Sequence, residues 1–316
     1  MPDERSSAPL LRRDTAIPFH GIDPGLLTSI GRGAFVRTAD WNEIFLESRL
    51  RTRILVVARR LVDESSVFCR AAALAQHGVP VFGASDGFVD LIVRGDCTRH
   101  NAPDVQRHHD ALPADDVTVI EGIRVTTLDR TIYDVARYGS IEMAVIAFDA
   151  ALHRLAWDDE TKAYDESAAE EFRERVLERI RSHPGARGIR QARFVAEFAD
   201  GRAQSPGESL TRLRMWQASL PSPELQCRVG LGGGRYALLD LALPTRGRWL
   251  EFDGEVKYTD EGMLAGRSAD EVIAAQAARQ AAIERVTGWR CDRLEFRHVR
   301  TIDAFAARQR EIHLFR

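Results

Sequence analysis

Apolar residues change their spacing along the chain, and the changes separate helices from strands. In the stretch 41–61 they recur at Ile44, Leu50, Ile54, Val57 and Leu61, which predicts a helix with one buried stripe. A second helix is expected through Ala75, capped by Ser65 or Ser66 and ended near Gly78 and Pro80. Residues 88–93 and 116–120 read as strands, and 129–138 and 141–155 as helices. Before them, residues 1–19 are polar, and 23–41 suggest a short helix, a glycine turn and a strand with Phe35 and Val36. A winged helix-turn-helix presents a recognition helix and wing in that order. A plain packing helix and strand fits as well, since little chain precedes it for supporting helices. Residues 158–200 read as two charged helices broken at His183-Pro184-Gly185. The first has acids early and arginines late, as a helix dipole prefers, so a solvated spacer is expected.

From residue 205 the pattern is sharper. Ser205, Pro206 and Glu208 stand at the N-cap, first and third helical positions, a capping box. Residues 225–229 alternate as a strand that turns at Gly232-Gly233-Gly234. Two apolar runs follow, joined at Pro244-Thr245-Arg246-Gly247, which is turn chemistry and predicts a hairpin. A capped helix from Ser268 to Gly288, a strand over 289–296 and a helix over 301–312 complete the order. The expected core is therefore helix, three strands, helix, strand, helix.

Counting outward from that turn sets Leu243 opposite Arg248 and Asp240 opposite Glu251. Alternation then puts Glu251 and Asp253 on one face and Phe252 on the other. Opposed like charges destabilise a strand pair, so carboxylates crowded among Leu, Ala, Trp and Phe ask for a reason. A wet strand face is one. A hard cation such as Mg²⁺, which takes one or two carboxylates plus water and a substrate phosphate, is the other. Lys257 lies close behind and could face a phosphate. Glu208 is explained equally by its capping role and by metal ligation.

Composition narrows the function classes. A formal net charge of −3 over 316 residues gives no global basic signal, so a nucleic-acid site must be local. From Arg285 onward eight arginines face four acids. Cys69, Cys97, Cys227 and Cys291 are scattered without Cys-x-x-Cys spacing, which argues against a zinc module and suits a reducing cytoplasm. No run of eighteen apolar residues suggests a membrane span. His108 and His109 fall in a polar loop with no evident third ligand, and residues 185–190, Gly-Ala-Arg-Gly-Ile-Arg, are a weak candidate phosphate contact.

The element order, with acids on the second and third strands and the third ending in Glu-x-Asp-Gly, resembles the PD-(D/E)XK nucleases, most closely the very-short-patch-repair endonucleases. The resemblance covers about residues 203–297, and the matching residues are Glu208, Asp240, Glu251, Asp253 and Lys257. Upstream, Arg-Ala-Ala-Ala-Leu at 70–74 and Val-Thr-Thr-Leu-Asp-Arg-Thr-Ile-Tyr-Asp at 125–134 resemble AbiEi-type antitoxin proteins of actinobacterial type. Together they imply an α/β (α+β) chain: a winged-helix-like segment over 1–40, an antitoxin-like α/β domain over 41–155, a helical linker over 156–202, and a restriction-endonuclease-like domain over 203–316. The resemblance implies Mg²⁺ or Mn²⁺ on Glu208, Asp240 and Glu251, catalysis by Asp240, Glu251, Asp253 and Lys257, and DNA as substrate. The alternative it implies is an inactive nuclease fold acting as a DNA-binding regulator or antitoxin with a toxin partner. Three departures bear on that choice. The N-terminal winged helix is short, no lysine occupies the position between Glu251 and Asp253, and Gln276-Ala277-Ala278-Arg279 stands where relatives often carry Glu-Lys-Arg. Gln276 and Arg279 remain as nucleic-acid contacts.

Overall fold

The computed structural model describes residues 11–12, 23–61, 66–93, 102–253 and 269–314. Helices and strands mix throughout, in two compact units: residues 1–151 with 166–199, and residues 152–165 with 200–316.

In the first unit, β1 (Leu11–Arg12), β2 (Leu27–Gly31) and β3 (Ala34–Arg37) form an antiparallel sheet. The short helix expected early in 23–41 is instead the strand β2, which corrects that expectation; most of the segment before it lies outside the described residues. Between residue 23 and β2 the described chain makes one 3₁₀ turn, Pro24–Leu26. Gly33 takes φ +74° in the hairpin turn, and Ile30, Ala34 and Val36 alternate into a small core with Trp41 and Val56. The single helix expected over 41–61 is split into α1 (Thr38–Glu43) and α2 (Leu46–Ala58), because Ile44 turns extended at φ −87°, ψ 149°.

A five-stranded mixed sheet follows, built from β4 (Val67–Phe68), β5 (Val89–Ile92), β6 (Val105–His108), β7 (Val117–Ile120) and β8 (Ile123–Thr126) in the order β6-β5-β4-β8-β7. Val67 and Phe68 are buried in its middle strand, so the helix expected from Ser65 or Ser66 starts later, as α3 (Arg70–His77), and ends at Gly78 with φ +70°. His108 sits on an edge strand rather than in a loop, its Nε2 2.7 Å from Asp90 Oδ1. Three helices, α4 (Leu128–Tyr138), α6 (Glu166–Ser182) and α7 (Ile189–Phe198), pack together, and α5 (Ile141–Ala156) lies between α4 and α6 in the chain. Residues 166–199 are thus part of the first unit and not a solvated linker. Ala169, Phe172, Val176 and Ile180 form a buried helical stripe, which the charge density of α6 hides from a reading of composition. Gly188, inside the candidate phosphate motif, has a packing role. At φ +76° its Cα lies against the Arg137 backbone, where a Cβ would stand 2.1 Å from the carbonyl oxygen.

The second unit contains a small hairpin, β9 (Trp157–Asp158) with β10 (Ala163–Tyr164), and the expected core. Its elements are α8 (Pro206–Gln217), β11 (Glu224–Gly232), β12 (Arg235–Leu243), β13 (Arg248–Phe252), α9 (Ala269–Thr287), β14 (Arg290–Leu294), α10 (Phe296–Val299) and α11 (Ile302–Glu311). The sheet order is β11-β12-β13-β14; the first two pairings are antiparallel and the last is parallel. Trp249, Leu239, Ala242 and Ile283 of α9 form its core. Buried Arg248 pairs with Asp292 at 3.1 Å and donates to the Ile312 carbonyl, tying the end of the chain to the sheet.

The first unit is organised around a buried charge cluster. Arg130 binds Asp116 at 2.8 Å and Asp134 at 2.9 Å, and Arg179 of α6 reaches Asp116 at 2.6 Å. Burial pushes the Asp134 carboxyl up even with Arg130 beside it. Removing one partner leaves an uncompensated buried charge. Arg130→Ala is expected to lower stability by about 3–5 kcal/mol in urea unfolding; a loss under about 1 kcal/mol would show that the cluster is solvated.

Candidate functional site

Glu208 is placed by the start of α8. Ser205 Oγ accepts from the Glu208 amide at 3.2 Å and donates to Glu208 Oε1 at 2.8 Å, and the Gln204 amide donates to Oε2 at 3.0 Å. Capping alone therefore accounts for its backbone position, yet the side chain is turned inward and only 5% exposed. Gly207 makes that approach feasible. A Cβ on it would stand 2.1 Å from the Phe252 ring, so a bare Cα lets the helix start close against β13.

The hairpin has the counted register: Leu243 opposite Arg248, Ala242 opposite Trp249, Leu241 opposite Leu250. One step further sets Asp240 beside Glu251. There the Phe252 amide donates to Asp240 Oδ2 at 3.3 Å. On the other side of β12, Gln226 stands opposite Asp240 by the same counting, held at φ +49°, and donates to Glu208 Oε2 at 3.4 Å. A non-glycine residue at positive φ costs roughly 1–3 kcal/mol and persists where its surroundings over-determine it. Gln226 thus holds the helix acid from β11, one strand over from Asp240.

Two arginines complete the group. Arg279 of α9 holds Glu251 Oε1 at 2.5 Å and donates to the Leu238 carbonyl at 2.6 Å. Arg293 lies opposite Glu251 in the parallel register and reaches Glu251 Oε2 at 3.5 Å and both Asp253 oxygens at 3.0 and 3.1 Å. Glu208 and Asp240, by contrast, form no ion pair among the described residues. Burial, and then the neighbouring Asp240, push the Glu208 carboxyl up to about 7. Burial pushes Asp240 up to about 6, opposed by the Phe252 amide and reinforced by Glu251. Burial, with Glu251 adding to it, also holds the Cys291 thiol up at about 12, so it stays protonated here.

Comparison with known proteins adds little to this geometry. No protein-family model and no solved structure matches the chain. It is similar to uncharacterized proteins from two strains of Mycobacterium tuberculosis, 35% identical over 125 residues. The match covers 40% of this chain, and the chain spans about two fifths, 41%, of each relative's length. Among the described residues no helix is long and apolar enough to cross a membrane.

The structure therefore brings together Glu208, Asp240, Glu251, Asp253 and Arg279. Gln276, one turn before Arg279 on α9, is exposed on the same helix. Lys257 lies outside the described residues. Gln226 and Arg293 join the site without having been expected. Gln226 was within reach of the strand count through the Gly232–Gly234 turn, whereas Arg293 required knowing that β14 pairs parallel to β13. Glu208 and Asp240 offer hard oxygen donors, partly desolvated and without an ion pair among the described residues, although the Arg279 charge is felt at Asp240. Yet no three carboxylate, histidine or cysteine side chains among the described residues converge closely enough, as placed, to hold one metal ion. Two carboxylates are the set that Mg²⁺ ordinarily asks of a protein, so the donor chemistry fits at Glu208 and Asp240, with Glu251 reserved by its arginines.

The raised acids make a pH prediction. In the folded chain both keep protons that the unfolded chain releases near pH 4. Their stabilising contribution is full below that range and is lost as pH rises through about 6 to 7. Thermal unfolding at pH 5 and pH 8 is expected to show lower stability at pH 8. Glu208→Gln should remove part of the difference by stabilising the pH 8 state on the order of 1–3 kcal/mol. An unchanged pH 8 melt would mean that Glu208 is solvated and ionises normally.

Proposed function

We propose that the second unit is a Mg²⁺- or Mn²⁺-dependent nuclease that hydrolyses the phosphodiester backbone of DNA. The observation that carries this reading is the desolvated Glu208–Asp240 pair, two acids that form no ion pair among the described residues and that α8 and β12 hold together at a cost. Asp240 and Glu208 would hold the cation, which polarises a phosphate and makes a bound water more acidic. Glu251 stands beside them as a further ligand once Arg279 turns away. Arg279, with a side chain 43% exposed, can exchange the Glu251 carboxylate for a DNA phosphate. Gln276 extends the same face of α9, and Arg293 keeps Asp253 and Glu251 oriented from β14. Charge developing on the transferred phosphoryl group would then meet a guanidinium already in place.

A second reading has its own support. Arg279 and Arg293 already neutralise Glu251 and Asp253, and the position between those acids carries Phe252 instead of lysine. An arginine in a cation's place would leave a nuclease fold that binds DNA, or a toxin protein through the antitoxin-like first unit, without cutting. The likeness to Mycobacterium tuberculosis proteins favours neither reading.

Supercoiled plasmid separates the two. The nuclease reading expects nicking with Mn²⁺ or Mg²⁺, lost by a factor of at least ~100 in Asp240→Asn. Because affinity comes mainly from arginines on phosphates, DNA binding by that variant should stay within about threefold of wild type. Binding without any metal-dependent nicking, weakened by Arg279→Ala, would instead establish the inactive binder.

A further inference from the structure

β11 and β12 run on past the acidic site into an exposed hairpin whose turn is made of glycine. Gly233 and Gly234 take φ +61° and +76°, the signs of a two-residue type I′ turn, and Gly232 takes φ +82° at a bulge just before them. Backbone geometry explains those three. It does not explain Gly230. That residue is paired with Tyr236 inside the ladder, its φ lies outside the left-handed region, and a Cβ on it would meet no atom within 4 Å. Neither the turn nor packing within the protein requires glycine there, and glycine weakens a strand interior. An aromatic side chain can compensate by lying over such a glycine, but no atom of the Tyr236 ring comes that close. The ring lies instead under the Arg228 guanidinium, 3.8 Å from its centroid. An open glycine inside a strand marks a place where another backbone approaches closely.

The side chains around this notch are cationic. Arg228 stands opposite Leu238, and alternation sets Tyr236, Leu238 and Asp240 on one face of β12. The notch and the acidic site therefore share a face of the sheet. Tyr236 lies about 13 Å along the strand from Asp240, the rise of about four nucleotides at 3.4 Å each. Stacking on Tyr236 uses the flat face of the guanidinium and leaves its in-plane N–H donors for a bidentate acceptor. Arg228 is exposed, as is Arg235 beside the turn, and neither forms an ion pair among the described residues.

We propose that one strand of duplex DNA crosses this face of the hairpin, its sugar–phosphate backbone seated over Gly230 and a phosphate held by Arg228 on its Tyr236 support. Arg235, at the tip, takes a neighbouring phosphate. The seat presupposes that the second unit is a DNA-binding nuclease fold, whether or not it cuts. It grips phosphates and not base edges, so it positions the duplex over the acidic site without choosing its sequence.

Fluorescence anisotropy of the full chain with two labelled duplexes of unrelated sequence, over a salt series, tests it, with melting temperatures measured alongside. Gly230→Val puts a strand-favouring side chain into open space. It should keep or raise the melting temperature while weakening both duplexes at least about fivefold. Arg228→Ala should weaken both duplexes by a similar factor and reduce the slope of log affinity against log salt by about one. If Gly230→Val proves unstable, Arg228→Ala, at an exposed side chain, decides alone. Wild-type binding to both duplexes, with the variants within about twofold of it and the salt slope unchanged, would overturn the seat and leave the DNA-binding reading standing. So would a loss confined to one duplex, because a grip on phosphates does not discriminate sequence. A wild-type chain that binds neither duplex even at low salt would overturn the DNA-binding reading and the seat with it.

Discussion

Gly207 has no side chain where the Phe252 ring lies, and the second unit's chemistry depends on that contact. A Cβ there would fall 2.1 Å from the ring, so any other residue would push the start of α8 off β13. Glu208 is the next residue, and Asp240 accepts its backbone hydrogen bond from Phe252. One close approach therefore fixes both partners of the acidic pair. The Ser205 cap holds the helix end in register, and the T-shaped packing of Phe252 on Phe296, with centroids 5.0 Å apart, holds the ring from behind. The Ser-Pro-Gly-Glu-Ser run is thus a single device: cap, first-turn proline, bare Cα and inward acid.

The acids that result are unequal. Glu251 and Asp253 are held by arginines from α9 and β14, while Glu208 and Asp240 share a desolvated spot with amides for company. Burying like charges together costs free energy unless protons or a cation offset it. Protons do so only below about pH 6 to 7 here. The strained Gln226 adds to that cost and holds Glu208 from β11. Arrangements that spend stability in one place point to function there. In the structure Arg279 holds Glu251 and leaves the Glu208–Asp240 pair to itself.

Much of this was legible in the sequence where structure is local. The capping box at Ser205, the Pro244–Gly247 turn and strict alternation along β12 and β13 fixed the hairpin register, so Asp240 and Glu251 could be paired by counting. What escaped was set by distant partners. Residues 27–30 read as helix by composition, but pairing with β3 made them a strand. The polar segment 105–108 became an edge strand, where one face needs no apolar residue. Residues 166–182 looked solvated because their charges outnumber a buried stripe with one residue per turn. Arg279 meets Glu251 across 28 residues and Arg293 meets Asp253 across 40, separations at which no spacing rule operates.

The central claim is that the Glu208–Asp240 pair is a cation site and not merely an acidic defect. Crystals of the full chain grown with Mn²⁺ at pH 8 test it through the manganese anomalous signal. The account predicts one anomalous peak within about 2.0–2.3 Å of oxygens from Asp240 and Glu208, with Arg279 released from Glu251. An anomalous map empty at that position, with Arg279 still on Glu251, would contradict it.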